Sequence, residues 1–219
     1  MTLILGIDES GRGPVAGPLV LCGYMIDEKK VGELKKYGVK DSKLLTATKR
    51  ERLFPKLKRL ADNHHAVTVS AAEIDSLRTI SNLNKIEIEK MQYLINRMKP
   101  DKVVIDAPEV KTDNFAKKIR QKLDAECVIV AENFADKKYP EVGAASIIAK
   151  VIRDREIIKL HKKYGNFGSG YSSDPVTIAF LKSWLKKNKE FPDFVRKSWI
   201  TAQLMIIERQ QTKIHKFVG

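Results

Sequence analysis

Cysteine is scarce in this chain, two among 219 residues, at positions 22 and 127. That excludes a disulfide-stapled scaffold and a cysteine-based zinc module. Both residues sit in apolar runs, as buried thiols of a reducing compartment do. Histidine is nearly as sparse, with four residues, His64, His65, His161 and His215. They form no metal-ligand cluster, and no Ser/His/Asp signature or nucleotide-binding glycine loop stands out, which counts against a small-molecule enzyme. Long hydrophobic runs are lacking too. The longest, Pro14 to Ile26, is interrupted by Gly17, Pro18 and Gly23 and is too short for the ~30 Å of a bilayer core. The N-terminus has no basic lead and runs straight into Asp8-Glu9, unlike a signal peptide. The expectation is a cytoplasmic protein without a membrane partner.

Acidic residues are outnumbered, 27 Asp and Glu against 41 Lys and Arg, for a net charge of +14. Such an excess makes some face strongly positive and favours a polyanion, with nucleic acid ahead of a membrane surface. A basic surface also simply keeps a protein soluble, so charge alone does not decide. Hydrophobic residues make up 43%, enough for a real core, which excludes a disordered tail protein.

Apolar patterning predicts strands at Leu3–Ile7, Leu19–Ile26, Ala66–Ser70, Lys102–Asp106 and Cys127–Val130. Helical spacing covers Thr46–Leu60, Ser81–Met98 and Asn114–Leu123. The strand–helix–strand stretch from Lys102 to Val130 implies parallel strands joined by a crossover. A long helix is predicted from Pro140 to Leu160, its first half apolar or small nearly all round and so buried. Asp174-Pro175 reads as an N-cap and first-turn proline opening a helix to Lys187, and another helix covers Trp199–Ile207. There is no internal repeat. The reading is an α/β sheet domain over residues 1–172 and a smaller helical region over 173–219.

Four acids stand where strands stop. Asp8 and Glu9 end the first strand, Asp106 ends Val103-Val104-Ile105, and Asp136 follows the last strand by a short connection. Ligands gather at strand ends in open α/β sheets. Carboxylates collected there repel one another unless a hard divalent cation, Mg²⁺ or Mn²⁺, neutralises them. A lone aspartate at a strand end is more often a turn or cap residue, and Glu73, Asp75, Glu87 and Glu89 read as solvated helix faces. Directly after the first acids comes Gly11-Arg12-Gly13, a loop able to bring backbone N–H groups and a guanidinium against a sugar-phosphate chain. Lys43, Lys137, Lys138 and Tyr171 are further polar candidates, the tyrosine well placed to stack on a sugar or base.

These residues make the chain resemble a family, ribonuclease HII, the type 2 ribonuclease H, and its archaeal branch most of all. The motifs are Gly6-Ile7-Asp8-Glu9-Ser10-Gly11-Arg12-Gly13-Pro14-Val15-Ala16-Gly17-Pro18, Asp41-Ser42-Lys43, Ile105-Asp106-Ala107, Ala135-Asp136 ahead of Tyr139-Pro140, Ala144 to Val151, Arg153-Asp154-Arg155-Glu156 and Gly168-Ser169-Gly170-Tyr171. They lie in the family's order along nearly the whole chain. The resemblance implies a ribonuclease H-like mixed sheet flanked by helices, with a smaller helical C-terminal region. It implies endonucleolytic cleavage of RNA in RNA–DNA hybrids and of single ribonucleotides in duplex DNA. Asp8, Glu9, Asp106 and Asp136 match the metal-binding and catalytic carboxylates. Gly11, Arg12 and Gly13 match the element that reads the 2′-OH, and Tyr171 the tyrosine that senses the following deoxyribose. Lys43 and Ser146 match polar positions near substrate phosphates. Three departures are Ser10 for a common alanine, Asn133 for a frequent histidine and Ser172 for a frequent proline. The last two bear on pH dependence or loop rigidity.

With two Mg²⁺ or Mn²⁺ ions the expected chemistry is in-line attack on the scissile phosphate, giving 3′-OH and 5′-phosphate ends. Near the C-terminus, Gln211, Ile214, Phe217 and Val218 resemble the short motif by which replication proteins dock on a sliding clamp, an apolar plug that folds on binding. The alternative is the fraying end of the last helix. Two rival functions stay open: a ribonuclease H-like DNA nuclease, and a non-catalytic hybrid-binding module. A monomer is expected.

Overall fold

The computed structural model describes residues 1–39 and 44–218, with side chains described as far as Gln211. Lys43 therefore lies outside the described residues, as do the side chains of Ile214, Phe217 and Val218. Strands β1 (Leu3–Ser10), β2 (Leu19–Asp27), β3 (Asn63–Val69), β4 (Lys102–Asp106) and β5 (Val128–Glu132) form one sheet in the order β3-β2-β1-β4-β5. β1 runs antiparallel to β2 and parallel to β4, which is parallel to β5. The helices are α1 (Val31–Lys36), α2 (Ala47–Leu60), α3 (Ala71–Leu77), α4 (Leu83–Met98), α5 (Thr112–Arg120), α6 (Ala135–Lys138), α7 (Pro140–Tyr164), α8 (Pro175–Lys187) and α9 (Ile200–Val218). The mixed sheet with flanking helices is the architecture expected.

The chain divides into two compact units. The first comprises Met1–Ser10, Val20–Thr68 and Asn82–Asp154; the second comprises Gly11–Leu19, Val69–Ser81 and Arg155–Gly219. The division at residue 172 drawn from the sequence falls inside the second of these.

In the first unit, side-chain alternation along the strands sorts residues between two faces. Val20, Cys22, Tyr24 and Ile26 of β2 pack with Leu34, Leu53, Leu57, Ala144, Ile147, Ile148 and Val151 from α1, α2 and α7. The buried Tyr24 hydroxyl is satisfied by donating to the Leu57 carbonyl at 2.9 Å. On the other face, a Cβ at Gly23 would meet Met98 Sδ at 2.8 Å and Leu5 Cδ1 at 3.1 Å, so the missing side chain admits α4. Gly6 does the same for α7. A Cβ there would stand 2.5 Å from the Glu141 carbonyl oxygen and from Val142 N, both fixed backbone atoms. Both cysteines are buried thiols, as expected.

The second unit has an aromatic core. Phe167 stacks on Phe194 with ring centroids 4.6 Å apart, Tyr164 lies 4.7 Å from Phe194, and Phe180 stacks on Trp184 at 5.8 Å. Val15 and Ala16 join that cluster. Asp174 caps α8 ahead of Pro175, as its position implied.

Several expectations are corrected. β1 extends to Ser10, so Asp8 and Glu9 lie within it rather than after it. α1 and α3 are helices of 6 and 7 residues, too short to show a periodicity. α9 continues well past Ile207. Glu87 is fully buried on α4 rather than solvated. Asp75 is no idle surface acid either: its carboxylate accepts the Lys197 and Ser198 backbone N–H groups at 2.7 and 3.0 Å. Among the described residues, no helix is long and apolar enough to cross a membrane.

Gly6→Ala is expected to force β1 and α7 apart and to destabilise the fold by about 1–3 kcal/mol or more, the usual cost of overpacking against fixed backbone. Thermal denaturation of the variant checks this, and an unchanged midpoint refutes the contact.

Candidate active site

The pairing of β1 explains where its acids lie. Antiparallel pairing with β2 continues through Asp8↔Cys22, Glu9↔Leu21 and Ser10↔Val20, while parallel pairing with β4 ends at Ile7↔Ile105. The carboxylates thus begin where the parallel partner stops. Alternation places Ile4, Gly6 and Asp8 on one face of β1, and the same face of β4 carries Val104 and then Asp106. Ile4 and Val104 pack there with Ala135 and Val142. After β5 the chain turns through Phe134 in the left-handed region, φ 59°, into the single turn of α6 that carries Asp136. The Ala135 N–H at the start of that turn donates to Asp106 Oδ1 at 2.9 Å. One carboxylate therefore fixes the element that delivers another.

Asp8, Asp106 and Asp136 come together, with one carboxylate oxygen of each lying within 4.8 Å of the others. Asp8 and Asp136 are buried, and both carboxylate oxygens of Asp136 are enclosed without accepting a hydrogen bond. Buried carboxylate oxygens are normally satisfied. An all-oxygen acidic trio with two such atoms fits a hard divalent cation. Glu9 does not join the trio. Its backbone N–H donates to Asp8 Oδ1 at 2.7 Å.

Burial pushes the Asp8 carboxyl up from its ordinary 3.8 to about 6. Lys150 and a hydrogen bond from Ser146 pull it down, and Asp106 adds a further upward push. Ser146, matched above to the substrate phosphates, is fully buried. It serves Asp8 instead, while Lys150 Nζ donates to Ser146 Oγ at 2.6 Å. The sequence reading gives Lys150 no role. Its spacing of four from Ser146, which puts both on one helix face, is the signal that points to it. Two strand residues from Gly6 to Asp8 rise roughly 6.6 Å and the four or five helix residues from Glu141 and Val142 to Ser146 rise roughly 6–7.5 Å. The contact at Gly6 thus sets the register that brings Ser146 to Asp8.

Nearby groups hold this frame. Asn133, the departure from a frequent histidine, donates to the Ala107 and Glu109 carbonyls at 2.7 and 3.0 Å and ties down the loop after β4. Lys138 pairs with Glu132, which also accepts from the Tyr139 hydroxyl.

The second unit holds the other recognition candidates. Gly13 is exposed and Tyr171 is 41% exposed. A Cβ at Gly13 would lie 3.7 Å from Tyr171 Cε1, so loop and ring are neighbours. The turn carrying Tyr171 is fastened to the loop where Ala16 N–H donates to Gly170 O at 3.1 Å. Asp174 accepts from Ser169 N and Oγ at 2.7 and 2.8 Å, which holds its carboxyl down at about 2.

A mixed sheet bearing clustered aspartates at its strand ends defines a metal-binding nuclease of the ribonuclease H-like class. The ribonuclease HII family model matches residues 5–202. Ribonuclease HII of Pyrococcus abyssi is 46% identical over 202 residues, covering 91% of this chain and 89% of its own. The crystal structure of ribonuclease H2 from Pyrococcus horikoshii OT3 superposes with a TM-score of 0.91 at 45% identity, covering 95% of this chain and 99% of that one. Ribonuclease HII of Archaeoglobus fulgidus, solved in complex with PCNA, gives 0.85 at 39% identity over 92% and 96%. The chain belongs to the ribonuclease HII family and is a ribonuclease H enzyme. That sets aside the non-catalytic binding module.

Because the Asp8 carboxyl is raised, the stability it contributes to the metal-free protein is present below pH 3.8 and is lost as pH rises through about 6. A divalent cation binds the ionised form and offsets that loss. The rise in melting temperature on adding Mg²⁺ or Mn²⁺ is therefore expected to be larger at pH 7 than at pH 5, and to vanish in Asp136→Asn. A shift independent of pH, or one retained in the variant, refutes the assignment.

Proposed function

We propose that this enzyme hydrolyses the RNA strand of RNA–DNA hybrids, and single ribonucleotides embedded in duplex DNA, leaving 3′-OH and 5′-phosphate ends. The observation that carries this reading is the buried trio Asp8, Asp106 and Asp136, with the oxygens of Asp136 accepting no hydrogen bond, in a chain of the ribonuclease HII family.

Asp8, Glu9, Asp106 and Asp136 hold the divalent metal, Mg²⁺ or Mn²⁺. When bound, two such ions supply Lewis acidity at the attacking water and at the departing 3′-oxygen. The protein contributes placement. Ser146 and Lys150 keep the buried Asp8 carboxylate ionised and aimed, and Asp106 positions the Asp136 turn through Ala135. Glu9 also supports Asp8 through its backbone N–H.

Selectivity comes from the second unit. Gly11, Arg12 and Gly13 meet the 2′-OH of the ribonucleotide, and Tyr171 packs on the deoxyribose that follows. Lys43 serves a phosphate. None of these groups reads a base, so cleavage is independent of sequence. The positive surface supplies affinity that falls steeply with salt.

The C-terminal residues Gln211, Ile214, Phe217 and Val218 dock on a sliding clamp. Support comes from the motif itself and from the complex of PCNA with the Archaeoglobus fulgidus relative.

On a labelled duplex with one ribonucleotide, metal-dependent cutting is expected on its 5′ side, with an all-DNA duplex untouched. Asp106→Asn is expected to lower kcat by about 10³-fold or more, as removal of a metal-organising charge does, and Glu9→Gln to lower it as well. Near-wild-type cleavage by Asp106→Asn eliminates the proposed site. For the tail, Phe217→Ala is expected to abolish capture of the clamp in a pull-down; equal capture by both proteins rejects the motif.

A further inference from the structure

Among the described residues, the largest fully buried side chain is a cation, Arg196, in the second unit. Its Nη2 donates to Gly11 O at 2.5 Å, its Nη1 to Arg12 O at 2.9 Å and its Nε to Gly17 O at 3.1 Å. A guanidinium is a rigid fork of five donors, so three carbonyls gathered on one head group take fixed directions. Backbone hydrogen bonds on either side lock the alignment. Arg196 N donates to Val15 O, and Gly17 N donates to Phe194 O, both at 2.8 Å.

A trans peptide holds its C=O and N–H antiparallel. With the Gly11 and Arg12 carbonyls turned toward Arg196, the N–H groups of Arg12 and Gly13 must point away from it. The third carbonyl of the loop, that of Gly13, precedes a proline and has no N–H behind it. It accepts instead from Trp199 Nε1 at 3.1 Å. The Trp199 ring itself lies against two guanidinium groups, those of Arg78 and Arg196, each 4.7 Å from its centroid. Asp75 fixes the turn between Arg196 and Trp199 by accepting from Lys197 N, Ser198 N and Ser198 Oγ. Four side-chain N–H donors, three from Arg196 and one from Trp199, thus hold four carbonyls of the Gly11–Gly17 stretch, and the product is a pair of N–H groups, those of Arg12 and Gly13, turned away from the guanidinium.

We propose that Arg196 is a positioning residue for ribose selection: by holding the Gly11, Arg12 and Gly17 carbonyls inward it sets the N–H face that meets the 2′-OH, and Trp199 completes the clamp at Gly13. The inference rests on the reading of that loop as the 2′-OH contact. A buried cation joined to backbone carbonyls is specific to arginine, since a lysine ammonium keeps the charge and cannot span three acceptors with fixed geometry.

The test is binding of two fluorescein-labelled duplexes, identical except for one ribonucleotide, by anisotropy in EDTA so that neither is cut. Arg196→Lys is expected to weaken binding of the ribonucleotide duplex by about tenfold, the worth of one good hydrogen bond, while all-DNA affinity and the divalent shift in melting temperature stay as in the wild type. Trp199→Phe keeps an aromatic ring at that position and removes the indole N–H. It is expected to give a smaller loss of the same preference and guards against poor folding of the first variant. A wild-type preference in both variants overturns the proposal and leaves the loop reading standing. Parallel loss of affinity for both duplexes also overturns it, since that marks a general structural role. If the wild type itself does not prefer the ribonucleotide duplex, the loop reading fails first and the role of Arg196 with it.

Discussion

The empty position at Gly6 lets the backbone of α7 lie directly against β1, and the chemistry of the first unit follows from that approach. No other residue leaves room there, because the opposing atoms are a carbonyl and an amide of the helix rather than a movable side chain. Once strand and helix touch at Gly6, their rises carry Asp8 and Ser146 to the same level, and Lys150 arrives one helical turn later. A carboxylate can then be buried in an apolar sheet face with a hydroxyl and an ammonium to support it.

The two units handle buried charge in opposite ways. The first encloses negative charge that its own side chains do not fully compensate: both oxygens of Asp136 accept nothing, and Asp8 ionises only against burial and against Asp106. Function at such a centre is set against stability, as is common where groups are arranged for a ligand rather than for the fold. The second unit buries a positive charge and surrounds it with carbonyl dipoles. That charge is satisfied, and its work is to hold a loop still. One unit is prepared to gain a cation, the other is already organised around one.

Much of the first unit could be read directly from the chain. Uninterrupted apolar runs ending in Asp8 and Asp106 mark strands and their acids together, and the strand–helix–strand pattern from Lys102 onward gives the parallel half of the sheet. What resisted reading was decided by distant contacts. Glu87 carries no local sign of burial, because its surroundings come from other elements packed on α4. Ser146 looks polar and available until Gly6 fixes the helix against the strand. Arg196 lies in a basic, unremarked stretch, and only the folded second unit brings it to residues 184 positions earlier in the chain.

That separation has a consequence for how the protein is made. The second unit is assembled from three stretches, Gly11–Leu19, Val69–Ser81 and Arg155–Gly219, so its earliest residues leave the ribosome long before their partners exist. At typical synthesis speeds of 5–20 residues per second, Arg12 waits roughly 10–40 s for Arg196 to be translated. Through that interval the glycine loop has neither its guanidinium nor the Phe194 side of its apolar seat, and Val15 and Ala16 remain uncovered. The clamp on the glycine loop is thus among the last features the nascent chain completes, after the acids of β1 and β4 have already been synthesised.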